Sequence, residues 1–116
     1  IWNINSYGEF FLQIVEKYAK EYVAACSKIA KERERFIKEL TKFKFLDVYP
    51  SEANYVLCEV KKPYTAKSFC LELWTRANCL VKDCSSKKGF DNGQFIRLAV
   101  KSEKDDNELL EALKSL

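Results

Sequence analysis

From Phe10 to Leu40 the apolar residues recur at helical spacing: Phe10, Phe11, Ile14, Val15, Tyr18, Tyr22, Ala25, Cys26, Ile29, Ala30, Phe36, Ile37 and Leu40. No proline interrupts the run before Pro50. Opposite charges four residues apart, at Glu16–Lys20, Lys28–Glu32, Glu34–Lys38 and Arg35–Glu39, support the same periodicity. Ser6 followed three residues later by Glu9 reads as a capping box at the start. A continuous helix of about 35 residues would be roughly 50 Å long at 1.5 Å per residue. A compact chain of 116 residues is only roughly 30 Å across. Such a helix must bend, or reach toward something outside the domain. The second option calls for an exposed apolar stripe along Phe10, Phe11, Ile14 and Val15.

The rest of the chain alternates short extended and helical stretches. Residues 43–49 are extended and end at Pro50-Ser51. Asn54-Tyr55-Val56-Leu57-Cys58-Glu59-Val60 is β-branched and apolar, and Lys61-Lys62-Pro63 stops it. Thr65 is placed to cap a helix reaching about Asn78, with Phe69, Leu73 and Trp74 on its apolar face. Cys79-Leu80-Val81-Lys82 reads as a short strand, residues 84–93 as a polar loop, and Phe95-Ile96-Arg97-Leu98-Ala99-Val100 as a strong strand. Ser102 caps a last helix whose first turn holds Asp105 and Asp106, favourable for the dipole. Leu109, Leu110, Leu113 and Leu116 form its apolar face. The expected architecture is α+β with two layers: a long N-terminal helix and a small sheet of three to four strands, helices packed on one face.

Composition narrows the chemistry. Twenty basic and 17 acidic residues leave a formal charge of +3, too mild to argue for nucleic acid, and no stretch is apolar enough to span a membrane. No histidine is present, which removes Ser-His and Cys-His nucleophile pairs. Cys26, Cys58, Cys70, Cys79 and Cys84 are odd in number and irregularly spaced, without a C-x-x-C. They read as reduced, mostly buried thiols of a cytoplasmic protein, with no metal site. The sequence has no methionine and opens Ile1-Trp2-Asn3, so we expect one domain, residues 1–116, that is a C-terminal piece of a longer protein.

Four segments in order then resemble one family. Ser51-Glu52-Ala53-Asn54-Tyr55-Val56-Leu57 is similar to the S-x-x-N-[YF]-[IV]-L strand of histidinol-phosphate aminotransferases and threonine-phosphate decarboxylases. Leu80-Val81-Lys82-Asp83-Cys84-Ser85-Ser86 resembles their I-x-V-R-D strand and the loop after it, with the Asp-Cys-Ser-Ser run nearer the decarboxylases. Phe95-Ile96-Arg97-Leu98-Ala99-Val100 resembles their [LY]-[IL]-R-[IV]-[TA]-V strand, and Trp2-Asn3-Ile4-Asn5 the segment before their long interdomain helix. The resemblance implies the C-terminal small domain of a fold-type I enzyme. Such an enzyme uses pyridoxal 5'-phosphate, is homodimeric, and acts on amino acid and keto acid substrates. The cofactor would sit on the large domain of the same chain, and this piece alone would be inactive.

The resemblance also assigns residues. Arg97 matches the arginine that grips the substrate α-carboxylate, a task suited to the planar two-pronged guanidinium. Read from the strand alone, Arg97 could equally face solvent or a salt-bridge partner. Lys82 stands where the family has a second arginine for the distal phosphate of the substrate. Lysine keeps the charge without the fork, and its plain alternative is a solvated strand end. Asn5 matches an asparagine near the substrate entrance, or else caps the helix with Ser6. Asn54 reads as fixing the turn at its strand start. Ser85-Ser86-Lys87-Lys88-Gly89 superficially resembles the Schiff-base lysine motif, but a polar loop offers nothing to desolvate either amine. No cofactor-binding or metal residue is expected in this segment. Two other functions stay open: a decarboxylase of a phosphorylated amino acid, and a non-enzymatic α+β module that binds RNA. Salt-sensitive RNA binding would mark the latter.

Overall fold

The computed structural model describes residues 4–90 and 93–116. The long helical stretch is divided. Helix α1 spans Ser6–Ile14, a single 3₁₀ turn follows at Val15–Tyr18, and α2 spans Ala19–Leu40. The division falls at the β-branched pair Ile14 and Val15, which fit a helix least well in this run. The start of α1 lies one residue earlier than the Ser6 capping box requires. Asn5 is the N-cap, and the Gly8 N–H donates to its Oδ1 at 2.9 Å. Ser6 is already helical, so Glu9 sits one place too late to close the box.

The remaining elements are β1 (Leu46–Val48), β2 (Tyr55–Val60), α3 (Ala66–Ala77), β3 (Lys82–Asp83), β4 (Phe95–Ala99) and α4 (Glu103–Lys114). They form one antiparallel sheet in the order β1-β2-β4-β3. Two strands are shorter than their sequence suggests. Only Lys82 and Asp83 of the third join the ladder, because Cys79 belongs to the end of α3 instead. Asn78 takes the left-handed conformation (φ 54°), and the Cys79 N–H donates to the Leu73 carbonyl at 3.1 Å. Residues 43–45 similarly turn back on α2, with the Phe43 N–H on the Leu40 carbonyl at 3.1 Å.

Helices α2 and α3 lie on one face of the sheet, and α4 packs against both. Between the layers sit Phe36, Leu40, Val56, Cys58, Phe69, Leu73, Ile96, Leu98 and Leu113, all essentially inaccessible. Alternation along β2 and β4 supplies that core from the even-numbered residues and leaves the odd-numbered ones on the other face. Caps hold the helices in place. Thr65 and Ser68 form a reciprocal capping box on α3, and the Ala66 N–H donates to Gln94 Oε1 at 2.8 Å, tying that helix to β4. Ser102 caps α4 as expected. Arg33, buried in α2, donates to the Ala53 carbonyl and to Glu52 Oε2, both at 3.1 Å, which pins the loop leading into β2.

Among the described residues, the N-terminal part of the long helix packs against nothing beyond the adjoining 3₁₀ turn. Helix α1 contains no buried residue, and burial in α2 begins only near Ile29. The molecule is accordingly elongated, 50 × 34 × 26 Å, with a radius of gyration of 17.1 Å. A compact chain of this length would have about 13 Å. Phe10 and Phe11 are more than half exposed, and Ile14 and Val15 are partly so, in keeping with the expected stripe. Among the described residues no helix is long and apolar enough to cross a membrane.

Candidate functional site

The sheet face that no helix covers carries Arg97 near its centre. Antiparallel register sets Leu57 opposite Arg97 on one side and Lys82 opposite it on the other. Arg97 and Lys82 are both exposed. Like charges on directly opposed residues weaken a strand pair. This sheet nevertheless places two cations side by side, and among the described residues neither enters an ion pair. The arrangement is a concentrated positive spot with free donors, which suits an anion with two or more oxygens.

Aromatic residues flank the spot. Tyr55 lies diagonal to Arg97, opposite the small Ala99, and the Arg97 guanidinium carbon stands 4.7 Å from the Tyr55 ring centroid. On the other side Phe95 precedes Arg97 by two residues and meets the Phe90 ring edge-on at 4.8 Å and the Tyr49 ring at 6.0 Å. The Tyr49 hydroxyl donates to Glu59 Oε2 at 3.2 Å. Sequence reading finds no closely spaced exposed aromatics, because positions 49, 55, 90 and 95 are scattered along the chain. Only strand pairing brings them to one face.

The other expected site residues are placed differently. Asn5 sits at the head of α1, which packs against neither strand nor helix beyond the 3₁₀ turn, so it is not brought to Arg97 and Lys82. Its side-chain oxygen serves the helix cap. The Trp2-Asn3 part of the N-terminal segment lies outside the described residues. Asn54 works through its backbone, its carbonyl accepting from the Val100 N–H at 2.9 Å. Asp83 accepts the Ser85 N–H at 2.7 Å and the Ser85 hydroxyl, which orders the loop after β3 and holds the Asp83 carboxyl below its usual range.

Groups for covalent chemistry are absent from this face among the described residues. Lys87 and Lys88 lie exposed in a turn, with no apolar surroundings to desolvate either amine. Gly8, Gly89 and Gly93 are scattered and build no phosphate cup, so the described residues do not fit a seat for pyridoxal phosphate. The cysteines are all free, but only Cys58 and Cys84 are buried; Cys70 and Cys79 are half-buried and Cys26 is exposed on α2. Burial pushes the Cys58 thiol up to about 12 and the Cys70 thiol up to about 11, which makes both poor nucleophiles. No cluster that could hold a metal occurs among the described residues.

Known proteins share this architecture. The family model described as aminotransferase class I and II matches residues 9–116. The histidinol-phosphate aminotransferase of Methanococcus aeolicus is 46% identical over 77 residues, which are 66% of this chain and 20% of that protein. The L-serine phosphate decarboxylase of Sulfurospirillum multivorans is 31% identical over an aligned length of 118 residues, covering 100% of this chain and 30% of its own. Among solved structures, a decarboxylase from Sulfurospirillum multivorans superposes with a TM-score of 0.87 at 32% identity, over 98% of this chain and 32% of that one. The histidinol-phosphate aminotransferase of Clostridium acetobutylicum superposes at 0.74 with 33% identity, over 86% and 28%. The chain spans between a fifth and a third of the length of these relatives. With nearly all of its residues matched and its small antiparallel sheet superposing on theirs, the chain belongs to the class I and II aminotransferase family.

Proposed function

We propose that residues 1–116 are the small, substrate-clamping domain of a pyridoxal-phosphate-dependent aminotransferase, with Arg97 binding the substrate α-carboxylate. The observation that carries the proposal is the uncovered pair of cations, Arg97 and Lys82, on opposed residues of β4 and β3. The guanidinium meets a carboxylate with two parallel hydrogen bonds. Lys82, one strand away, adds a second positive charge for a distal anionic group such as a phosphate ester. Asn5 would approach the substrate only if the rest of the enzyme folds α1 toward the sheet. The large domain of the same chain would hold the cofactor, which supplies the electron sink for chemistry at the amino-bearing carbon. This domain's part is to bind, orient and exclude water. Alone it is inert, and the complete enzyme is a homodimer.

A second reading keeps the clamp and changes the bond that breaks: decarboxylation of a phosphorylated amino acid. A relative that aligns along the whole chain is a decarboxylase, and the Asp83-Ser85 turn lies in the Asp-Cys-Ser-Ser run whose resemblance is nearer the decarboxylases. The test uses the full-length gene product loaded with pyridoxal phosphate. It is offered histidinol phosphate with a keto acid, and separately L-serine phosphate. Amino transfer is expected. Carbon dioxide release without amino transfer would move the assignment to the second reading. Replacing Arg97 by alanine should lower kcat/KM by about 100-fold, the loss of one bidentate charge-assisted contact. An unchanged kcat/KM would overturn the clamp.

A further inference from the structure

We propose that Tyr55 is a positioning residue for Arg97, holding its guanidinium by the face so that its edges stay available to a carboxylate. The inference rests on the clamp reading above. An arginine in the middle of an exposed sheet face has four rotatable side-chain bonds, and a mobile guanidinium binds a carboxylate at an entropic cost. Here the guanidinium carbon lies 4.7 Å from the Tyr55 ring centroid, within range of the negative face of the ring. The N–H donors of a guanidinium lie in its plane. A ring set over the guanidinium carbon leaves the donors that point away from it open to a ligand. Register makes the contact possible. Tyr55 is opposite Ala99, whose methyl leaves the ring free to lean toward Arg97 along the diagonal. On the other side of Arg97 is Lys82, a like charge, so the ring also offsets a repulsion that would otherwise turn the guanidinium away.

Tyr55 is itself held. The Ser51 hydroxyl donates to the Tyr55 carbonyl, and Arg33 fixes the neighbouring Ala53. Tyr55 is 38% exposed and lies outside the core cluster, so a substitution there can be read without a large stability change.

The test is a kinetic comparison in the full-length holoenzyme of Tyr55→Val, Tyr55→Phe and Arg97→Ala. Tyr55→Val keeps a strand-forming residue and should raise KM for the amino substrate about tenfold with kcat within about twofold, the signature of lost ground-state positioning. Tyr55→Phe, which keeps the ring, should restore KM. An unchanged KM in Tyr55→Val, or a KM in Tyr55→Phe as high as in Tyr55→Val, would overturn the role of the ring. If Tyr55→Val does not fold, Tyr55→Leu decides by the same criterion. The two proposals fail separately. Arg97→Ala with an unchanged kcat/KM removes the clamp and this inference with it. Arg97→Ala with a lowered kcat/KM beside an unaffected Tyr55→Val removes this inference alone.

Discussion

Residues 6–28 and the body that begins near Ile29 contain apolar residues at the same helical spacing, yet they end in opposite environments. In the body, Phe36 and Leu40 of α2 are sealed between the sheet and α4. In the arm, Phe10, Phe11, Leu12, Tyr22 and Val23 stand more than half exposed. The difference is supply of partners. The sheet offers a second apolar layer to the last turns of α2, whereas among the described residues no element beyond the adjoining 3₁₀ turn reaches α1. An apolar stripe is therefore evidence that a surface is to be covered, without saying by what. On the proposed small-domain reading, the arm is the surface that the rest of the enzyme would cover.

Four substitutions bear on this contrast. The largest effect belongs to the body: Phe36→Ala should cost about 3–5 kcal/mol, the transfer term plus an unfilled cavity. Urea denaturation of the 116-residue chain measures it, and a loss below about 1 kcal/mol would show that this core is no tighter than the arm.

An intermediate effect concerns a charge that only a closed core can perturb. Asp106 sits in the seam between α4 and α2, where burial, reinforced by Glu32 beside it, raises its carboxyl from 3.8 to about 6. The Lys101 N–H donates to this carboxyl, at 3.1 Å to Oδ1, and Arg35 acts in the opposite sense, favouring the charge. The folded chain thus keeps a proton that the unfolded chain has already released. Stability from this group is full below about pH 4 and is lost as pH rises toward about 6. Asp106→Asn removes the penalty and should gain about 1–2 kcal/mol near pH 7.5, with no gain near pH 4. A gain equal at both pH values would sink the titration account.

The smallest effect belongs to the arm. Phe10→Ser and Phe11→Ser should each change the stability of the isolated chain by less than about 0.5 kcal/mol. A cost like that of Phe36→Ala would mean that α1 is packed in solution.

Much of the fold could be read locally. Thr65 and Ser102 were legible as caps because a cap is a contact within one turn. The outward direction of Arg97 followed from its two apolar neighbours in a period-two element. Capping by Asn5 is one of its two sequence readings, and the structure shows it; the Ser6 capping box falls one residue late, because Asn5 and Ser6 are both good N-caps and only the helix register chooses. Helix length calls for a bend or an outward reach, but the position of the break at Val15–Tyr18 is not legible, because no proline or glycine marks it. The third strand was overextended because Cys79-Leu80-Val81 is apolar, yet its first N–H is taken by the end of α3.

By itself the sequence determined the long amphipathic helix, the caps, the alternating strands and the family-like motifs around Arg97, all of which depend on residues a few positions apart. Tertiary structure alone decided that Lys82 stands opposite Arg97, that Tyr55 lies against its guanidinium, and that Tyr49, Phe90 and Phe95 gather on one face. The physical reason is register. A strand states which face each side chain takes, but its neighbours across the sheet are set by pairing between distant segments, which no local pattern encodes.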